Sequence, residues 1–205
     1  MKISNNPYRT SKITLPYVCI DNFFSEKELS LIDFICSKKQ LSSASTVSDK
    51  GLVVSENQIR ISENSFHEPN EENVWFFQKM NSAIEQVNDA AYGFDLYGYR
   101  SFQYTIYHGS SGGKYDAHMD LIMSDAKPAD LLDTRKLSVT LMLTDPETDF
   151  TGGNFMIYEG GSPTKVSARK GTMIFFPSFM LHAVEPVLSG TRKSIVVWVE
   201  GPKFK

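Results

Sequence analysis

A chain of 205 residues that is 41% hydrophobic, with a formal net charge of −3, is long enough for one domain with a full core and too evenly charged to offer the basic surface that nucleic acid or an anionic membrane requires. No run approaches the ~20 apolar residues of a spanning helix, and no apolar stretch follows Lys2, so neither a membrane anchor nor a signal peptide is expected. The two cysteines, Cys19 and Cys36, lack Cys-x-x-Cys spacing and read as two buried thiols of a reducing compartment, so a cytoplasmic location is expected.

In chain order, residues 15–23 alternate loosely and predict a first strand. Ser25-Glu26-Lys27-Glu28 is a capping box, and Leu29, Ile32, Ile35 and Cys36 follow at helical spacing, predicting a helix over 26–39. Residues 40–50 are rich in Ser and Thr and read as a loop. A strand over 53–62 and an exposed loop over 66–73 follow. Phe76, Phe77, Met80, Ala83, Ile84, Val87 and Ala91 then mark one face of a long helix over 74–91, ended by Gly93 and Gly98. From Tyr99 the pattern changes to short strands: 102–107, 114–120, 137–143, 154–158, 172–176 and 192–199. A loop is expected over 121–134. Short strands between Gly and Pro turns indicate an antiparallel sandwich or barrel. Helices first, packed on one face of a C-terminal β-sandwich, is the expected architecture.

Four histidines are present, and one of them forms His118-Met119-Asp120. Residues i and i+2 of a strand share a face, so imidazole and carboxylate could grip one ion. That tripeptide alone is a weak signal, because it usually sits on a solvated strand. His182, after the apolar segment ending Phe175-Phe176-Pro177, completes two imidazoles and a carboxylate. This is the ligand set of non-heme Fe(II) oxygenases, which leaves coordination positions open. Ten residues further on, Arg192 shares a strand face with Ser194, Val196 and Trp198, opposite Lys193, Ile195, Val197 and Val199. An inward guanidinium needs an anion, and no acidic residue lies two positions along that face. A substrate carboxylate held by two hydrogen bonds would answer the need. His67 and His108 read as ordinary loop residues.

With these residues in place the chain resembles the Fe(II)/2-oxoglutarate-dependent dioxygenase superfamily, nearest its prolyl 4-hydroxylase-like branch with the PKHD-type hydroxylases. The matching text is Tyr107, Tyr115-Asp116-Ala117-His118-Met119-Asp120, the stretch from Lys136 to Leu143, Gly152-Gly153-Asn154, Lys170-Gly171 through Pro177, His182, and Gly190-Thr191-Arg192 to Trp198. It is strong over 99–202. Between 41 and 73 little aligns beyond Arg60-Ile61-Ser62, similar to an Arg-x-Ser element near the substrate side of some members.

The resemblance implies an α+β, mainly β chain: a double-stranded β-helix, or jelly roll, with N-terminal helices packed on one sheet. It implies one domain over 1–205, with a support region over 1–98 and a catalytic core over 99–202. His118, Asp120 and His182 would bind iron, and Arg192 with Tyr107 would hold the distal carboxylate of 2-oxoglutarate. Thr140 and Trp198 would line the co-substrate pocket, and Tyr115 would sit near iron or substrate. Two departures touch how 2-oxoglutarate is oriented: Thr140 stands where several members carry a tyrosine, and the turn after Tyr107 is one residue longer than in some relatives. The implied activity is hydroxylation of an unactivated C–H bond using Fe(II), 2-oxoglutarate and O2, with ascorbate as reductant and succinate and CO2 as co-products. The implied substrate is peptidyl proline. A free amino acid or other small molecule is the alternative, and a non-redox cupin-like isomerase or binding module is the alternative of a different class. The oligomeric state is left open.

Overall fold

Two helices and two sheets carry the chain, and in this computed structural model the described residues are 15–43, 46–47, 53–54, 59–121 and 134–203. After β1 (Val18–Ile20), Ser25 starts α1 (Glu26–Ser37): its hydroxyl accepts from the Glu28 amide while Glu28 accepts from the Ser25 amide at 2.7 Å. The helix buries Leu29, Ile32, Ile35 and Cys36, the face predicted from spacing. Next come β2 (Ser42–Ser43), β3 (Thr46–Val47), β4 (Val53–Val54), β5 (Arg60–Ile61) and β6 (Glu63–His67). Then α2 (Val74–Val87) runs into a π-helical turn, Asn88–Tyr92. Gly93 ends it at φ 64°, a left-handed conformation open to glycine. The single helix expected over 74–91 is therefore two helical segments end to end.

Nine strands follow, with a 3-10 turn at Gly109–Ser111 between the first two: β7 (Phe102–His108), β8 (Lys114–His118), β9 (Thr134–Met142), β10 (Phe150–Gly152), β11 (Phe155–Tyr158) and β12 (Pro163–Val166). β13 (Met173–Pro177), β14 (His182–Val184) and β15 (Val187–Gly201) complete the chain. The major sheet runs β1-β13-β9-β15-β7-β6-β2, with β10 paired to β15; the minor sheet runs β12-β11-β14-β8-β5. All of the named pairings are antiparallel.

The period of two along β9 and β15 sorts the major sheet into an apolar face and a polar face. Leu137, Val139, Leu141, Ile195, Val197 and Val199 join Ile32, Phe76 and Met80 of the helices in one core. Lys193, on that same face, reaches Asp33 of α1 at 2.9 Å, and the Tyr104 hydroxyl donates to the same carboxylate at 2.7 Å. A second core with Tyr107, Met142, Ile157, Phe176 and Val187 fills the space between the sheets. This is a jelly roll with helices on one sheet, as expected.

Three expectations are corrected. The loop predicted over 66–73 begins too early: Glu63–His67 is a strand paired with β7 and β2, and Asn64, Ser65 and His67 are buried. His67 is thus a packed residue, stacked on Phe102 at 5.1 Å between ring centroids, and His108 ends β7 and meets Glu63 at 3.0 Å. Cys36 is buried but Cys19 is exposed; both are free thiols. Within the loop expected over 40–50, Ser42–Ser43 and Thr46–Val47 are short strands, and the rest of 44–50 lies outside the described residues, as does nearly all of the loop expected over 121–134.

Candidate active site

The site is assembled where β8 and β14 pair with His118 directly opposite His182. The two ring centroids are 4.2 Å apart. Each Nδ1 meets a backbone carbonyl, that of Asp116 at 2.8 Å and that of Met180 at 2.9 Å. An imidazole whose Nδ1–H donates to a carbonyl carries its lone pair on Nε2. Both Nε2 atoms face Asp120, at 3.7 Å from Oδ1 for His118 and 3.6 Å from Oδ2 for His182.

Asp120 lies just past the end of β8, so strand parity alone does not place it. The Leu121 amide donates to the Ser178 carbonyl at 2.9 Å, turning the chain toward the major sheet. There the Ser138 hydroxyl donates to Asp120 Oδ2 at 2.7 Å and lies 2.9 Å from the Ser178 hydroxyl. Burial pushes the Asp120 carboxyl up, but His182, His118, Arg135 and Ser138 outweigh it and hold the group below the usual carboxylate range. Burial, with His182 beside it, lowers His118 to about 4, so this imidazole is neutral at pH 7. Two imidazole Nε2 atoms and one carboxylate converge, with their ligand atoms within 4.8 Å of one another. Lone pairs aimed at an anion with no proton between them fit a divalent cation.

Beside this triad, Arg192 of β15 stands opposite Tyr107 of β7, its guanidinium carbon 5.3 Å from the tyrosine ring centroid. It is only 1% exposed. One Nη donates to Ser194 Oγ at 3.2 Å, the other to the Met142 sulfur at 3.3 Å, and Nε has no partner. A thioether is a weak acceptor, so among the described residues nothing offsets the buried charge. Burial accordingly pulls the guanidinium pKa down. Gly153 leaves room for the arginine stem: a Cβ there would lie 3.2 Å from Arg192 Cδ and 2.9 Å from a Val187 methyl. A carboxylate is the kind of anion that would offset such a charge with two hydrogen bonds.

The residues predicted from sequence meet in one cleft, lined by Tyr107, Tyr115, His118, Asp120, Thr140, His182, Arg192 and Trp198. Tyr115 stacks on His118 with ring centroids 3.5 Å apart. The Trp198 indole N–H is buried and has no hydrogen-bond partner among the described residues. Arg60, Gln103, Phe155, Val184, Ser194 and Val196 share the lining. Of these, Gln103 had no role in the sequence reading, and neither had Ser138 and Ser178 behind Asp120. Parity could have found two of them, since Gln103 and Ser138 alternate in phase with Tyr107 and Thr140.

Residues 102–200 match the model of the 2OG-Fe(II) oxygenase superfamily. That region of the chain carries the superfamily's pattern. The chain is similar to a PKHD-type hydroxylase of Synechococcus sp. (strain CC9605), 38% identical over 96 residues that make up 46% of this chain and 40% of that protein. A PKHD-type hydroxylase of Colwellia psychrerythraea is 34% identical over 47% of this chain and 42% of its own. The match thus spans about two fifths of the length of these curated relatives. Among solved structures, the chain resembles a Pseudomonas putida prolyl-4-hydroxylase with a TM-score of 0.72 at 17% identity, over 92% of this chain and 94% of that one. It also resembles the viral collagen prolyl hydroxylase of Paramecium Bursaria Chlorella virus-1, solved with 2OG, with a TM-score of 0.66 at 27% identity, over 91% and 97%. No helix among the described residues is long and apolar enough to cross a membrane.

Proposed function

We propose that the chain is an Fe(II)- and 2-oxoglutarate-dependent dioxygenase that hydroxylates an unactivated C–H bond of peptidyl proline, releasing succinate and CO2. The observation that carries this reading is Arg192, a buried guanidinium with an unpartnered Nε in the same cleft as three convergent metal ligands. A cupin-like isomerase or plain binding module has no use for such a cation. In this reading His118, Asp120 and His182 hold the iron, and Arg192 with Tyr107 binds the distal carboxylate of 2-oxoglutarate. Thr140 and Trp198 form walls of the co-substrate pocket, and Tyr115 shields the His118 side. Bound iron and 2-oxoglutarate supply the oxygen activation and the oxidative decarboxylation; the chain positions them and excludes water.

Residues 99–202 form the catalytic core in this proposal and 1–98 its support, although β5 and β6 contribute strands to both sheets. The prolyl hydroxylases among the similar structures support proline as the target. The free thiols Cys19 and Cys36 support a reducing, cytoplasmic setting, in which ascorbate serves as reductant. The test is succinate formation from 2-oxoglutarate with Fe(II) and ascorbate, across peptides that contain proline and free amino acids. Succinate, together with a product heavier by one oxygen atom, is expected. Tight iron binding without succinate on any substrate would overturn the reading.

A further inference from the structure

The charges of the cleft do not balance, even when it is filled as proposed. Arg60 and Arg192 both line it, and Asp120 is its single carboxylate among the described residues. Two guanidinium groups and a divalent ion stand against that carboxylate and a dicarboxylate co-substrate. One positive charge is left over. Arg192 is answered by 2-oxoglutarate, so the unanswered cation is Arg60.

Arg60 is 6% exposed. Its Nε donates to Ser62 Oγ at 2.8 Å, and its guanidinium carbon stands 4.7 Å from the centroid of the Tyr115 ring. A hydroxyl and an aromatic ring orient a guanidinium, but neither neutralises it. No described carboxylate forms an ion pair with it. The strand register fixes its place, because Arg60 of β5 pairs with Tyr115 of β8 at the edge of the minor sheet. Tyr115 in turn stacks on the metal-facing His118. The cation is therefore separated from the triad by one aromatic ring, while lining the same cleft.

We propose that Arg60 receives a carboxylate of the substrate, so that the site selects an anionic group beside the carbon to be hydroxylated. This deepens the proposed function and rests on it. A carboxylate at that place has two sources, an acidic side chain adjoining proline in a peptide or the α-carboxylate of a free amino acid.

The test uses the full chain loaded with Mn(II) and 2-oxoglutarate, so that binding is read without turnover. Calorimetry compares the peptide Gly-Asp-Pro-Gly with Gly-Asn-Pro-Gly, both capped at their ends, and L-proline with L-prolinamide. The first pair reports the peptide source and the second the free amino acid. In one pair the carboxylate-bearing ligand should bind about tenfold more tightly than its neutral counterpart, the scale of one charge-assisted hydrogen bond. Arg60→Gln should erase that preference, and Arg60→Lys should keep part of it. Equal or absent binding in both pairs, or a preference that survives in Arg60→Gln, would overturn the proposal. Since the wild-type comparison needs no variant, a folding defect cannot decide it. Succinate formed without regard to substrate charge would sink this inference and leave the oxygenase reading intact; absent succinate on any substrate would sink the latter.

Discussion

At the scale of single residues, Arg192 and Ser138 do different work around the same cleft. In the proposed function Arg192 receives a carboxylate, a role that a lysine cannot copy because a point charge lacks the planar fork. Arg192→Ala should raise the 2-oxoglutarate concentration needed for half-maximal turnover about tenfold or more while metal content stays at wild-type level. Equal loss of co-substrate and metal binding would assign Arg192 a structural role instead. Ser138 would act on a bound metal only through Asp120: its hydroxyl donates to Oδ2 at 2.7 Å and lies 2.9 Å from the Ser178 hydroxyl. It turns the carboxylate so that Oδ1 is the oxygen left free for metal. Partners of this kind typically change metal affinity by about 10–100-fold when removed. Ser138→Ala should therefore weaken Mn(II) binding on that scale, and Ser138→Thr should restore part of it. Unchanged affinity in Ser138→Ala would remove it from the metal site.

At the scale of elements, the amphipathic pieces were legible and the polar ones were not. The alternation of β9 and β15 was plain in the sequence because one face of each packs on helices. It even separated Arg192 from Lys193 correctly. Glu63–His67 was missed because its buried residues Asn64, Ser65 and His67 are polar, so no hydrophobic alternation marks the strand. His182–Val184 was missed because three residues are too few to show a period. The triad itself was legible by residue type, yet its geometry owes less to strand parity than to Ser138 and Ser178, which pull Asp120 in from beyond the strand. The α1 cap was read directly from Ser25 and Glu28, and it ties the two helices together because Glu28 also pairs with Lys79 of α2 at 2.7 Å. The Lys79 ammonium, then the Ser25 amide, lower Glu28 from 4.5 to about 2, against a smaller effect of burial. A carboxylate with a depressed folded-state pKa stabilises the fold above its unfolded pKa, and that stability is lost as pH falls through the folded value. Glu28→Gln should therefore lower the melting temperature at pH 7, and the difference from wild type should shrink as pH falls from about 4.5 toward 2. Ser25→Ala should cost about 1 kcal/mol, or roughly 2–4 °C for a chain of this size. A difference for Glu28→Gln that stays constant with pH would mean the pair with Lys79 adds nothing.

At the scale of the whole molecule, the triad joins the two sheets. His118 and His182 belong to β8 and β14 of the minor sheet, while Asp120 is anchored by Ser138 of β9 in the major sheet. A cation bound to all three therefore bridges layers that otherwise meet through side-chain packing. It also relieves the approach of two imidazole lone pairs to a carboxylate. Binding that requires the folded arrangement stabilises it by mass action, by about 2.7 kcal/mol when free metal is 100 times its dissociation constant. For a chain of this length that corresponds to a rise of roughly 5–11 °C in melting temperature. Mn(II), or Fe(II) without air, should produce that shift, and EDTA should reverse it. Asp120→Ala, which removes the bridge to the major sheet, should abolish the shift, whereas Arg192→Ala should retain it. Adding 2-oxoglutarate should raise the melting temperature again in the wild type but not in Arg192→Ala, because only the wild type holds the distal carboxylate. A metal shift that persists in Asp120→Ala would place the bound ion elsewhere on the protein, and the layers would then be held without it.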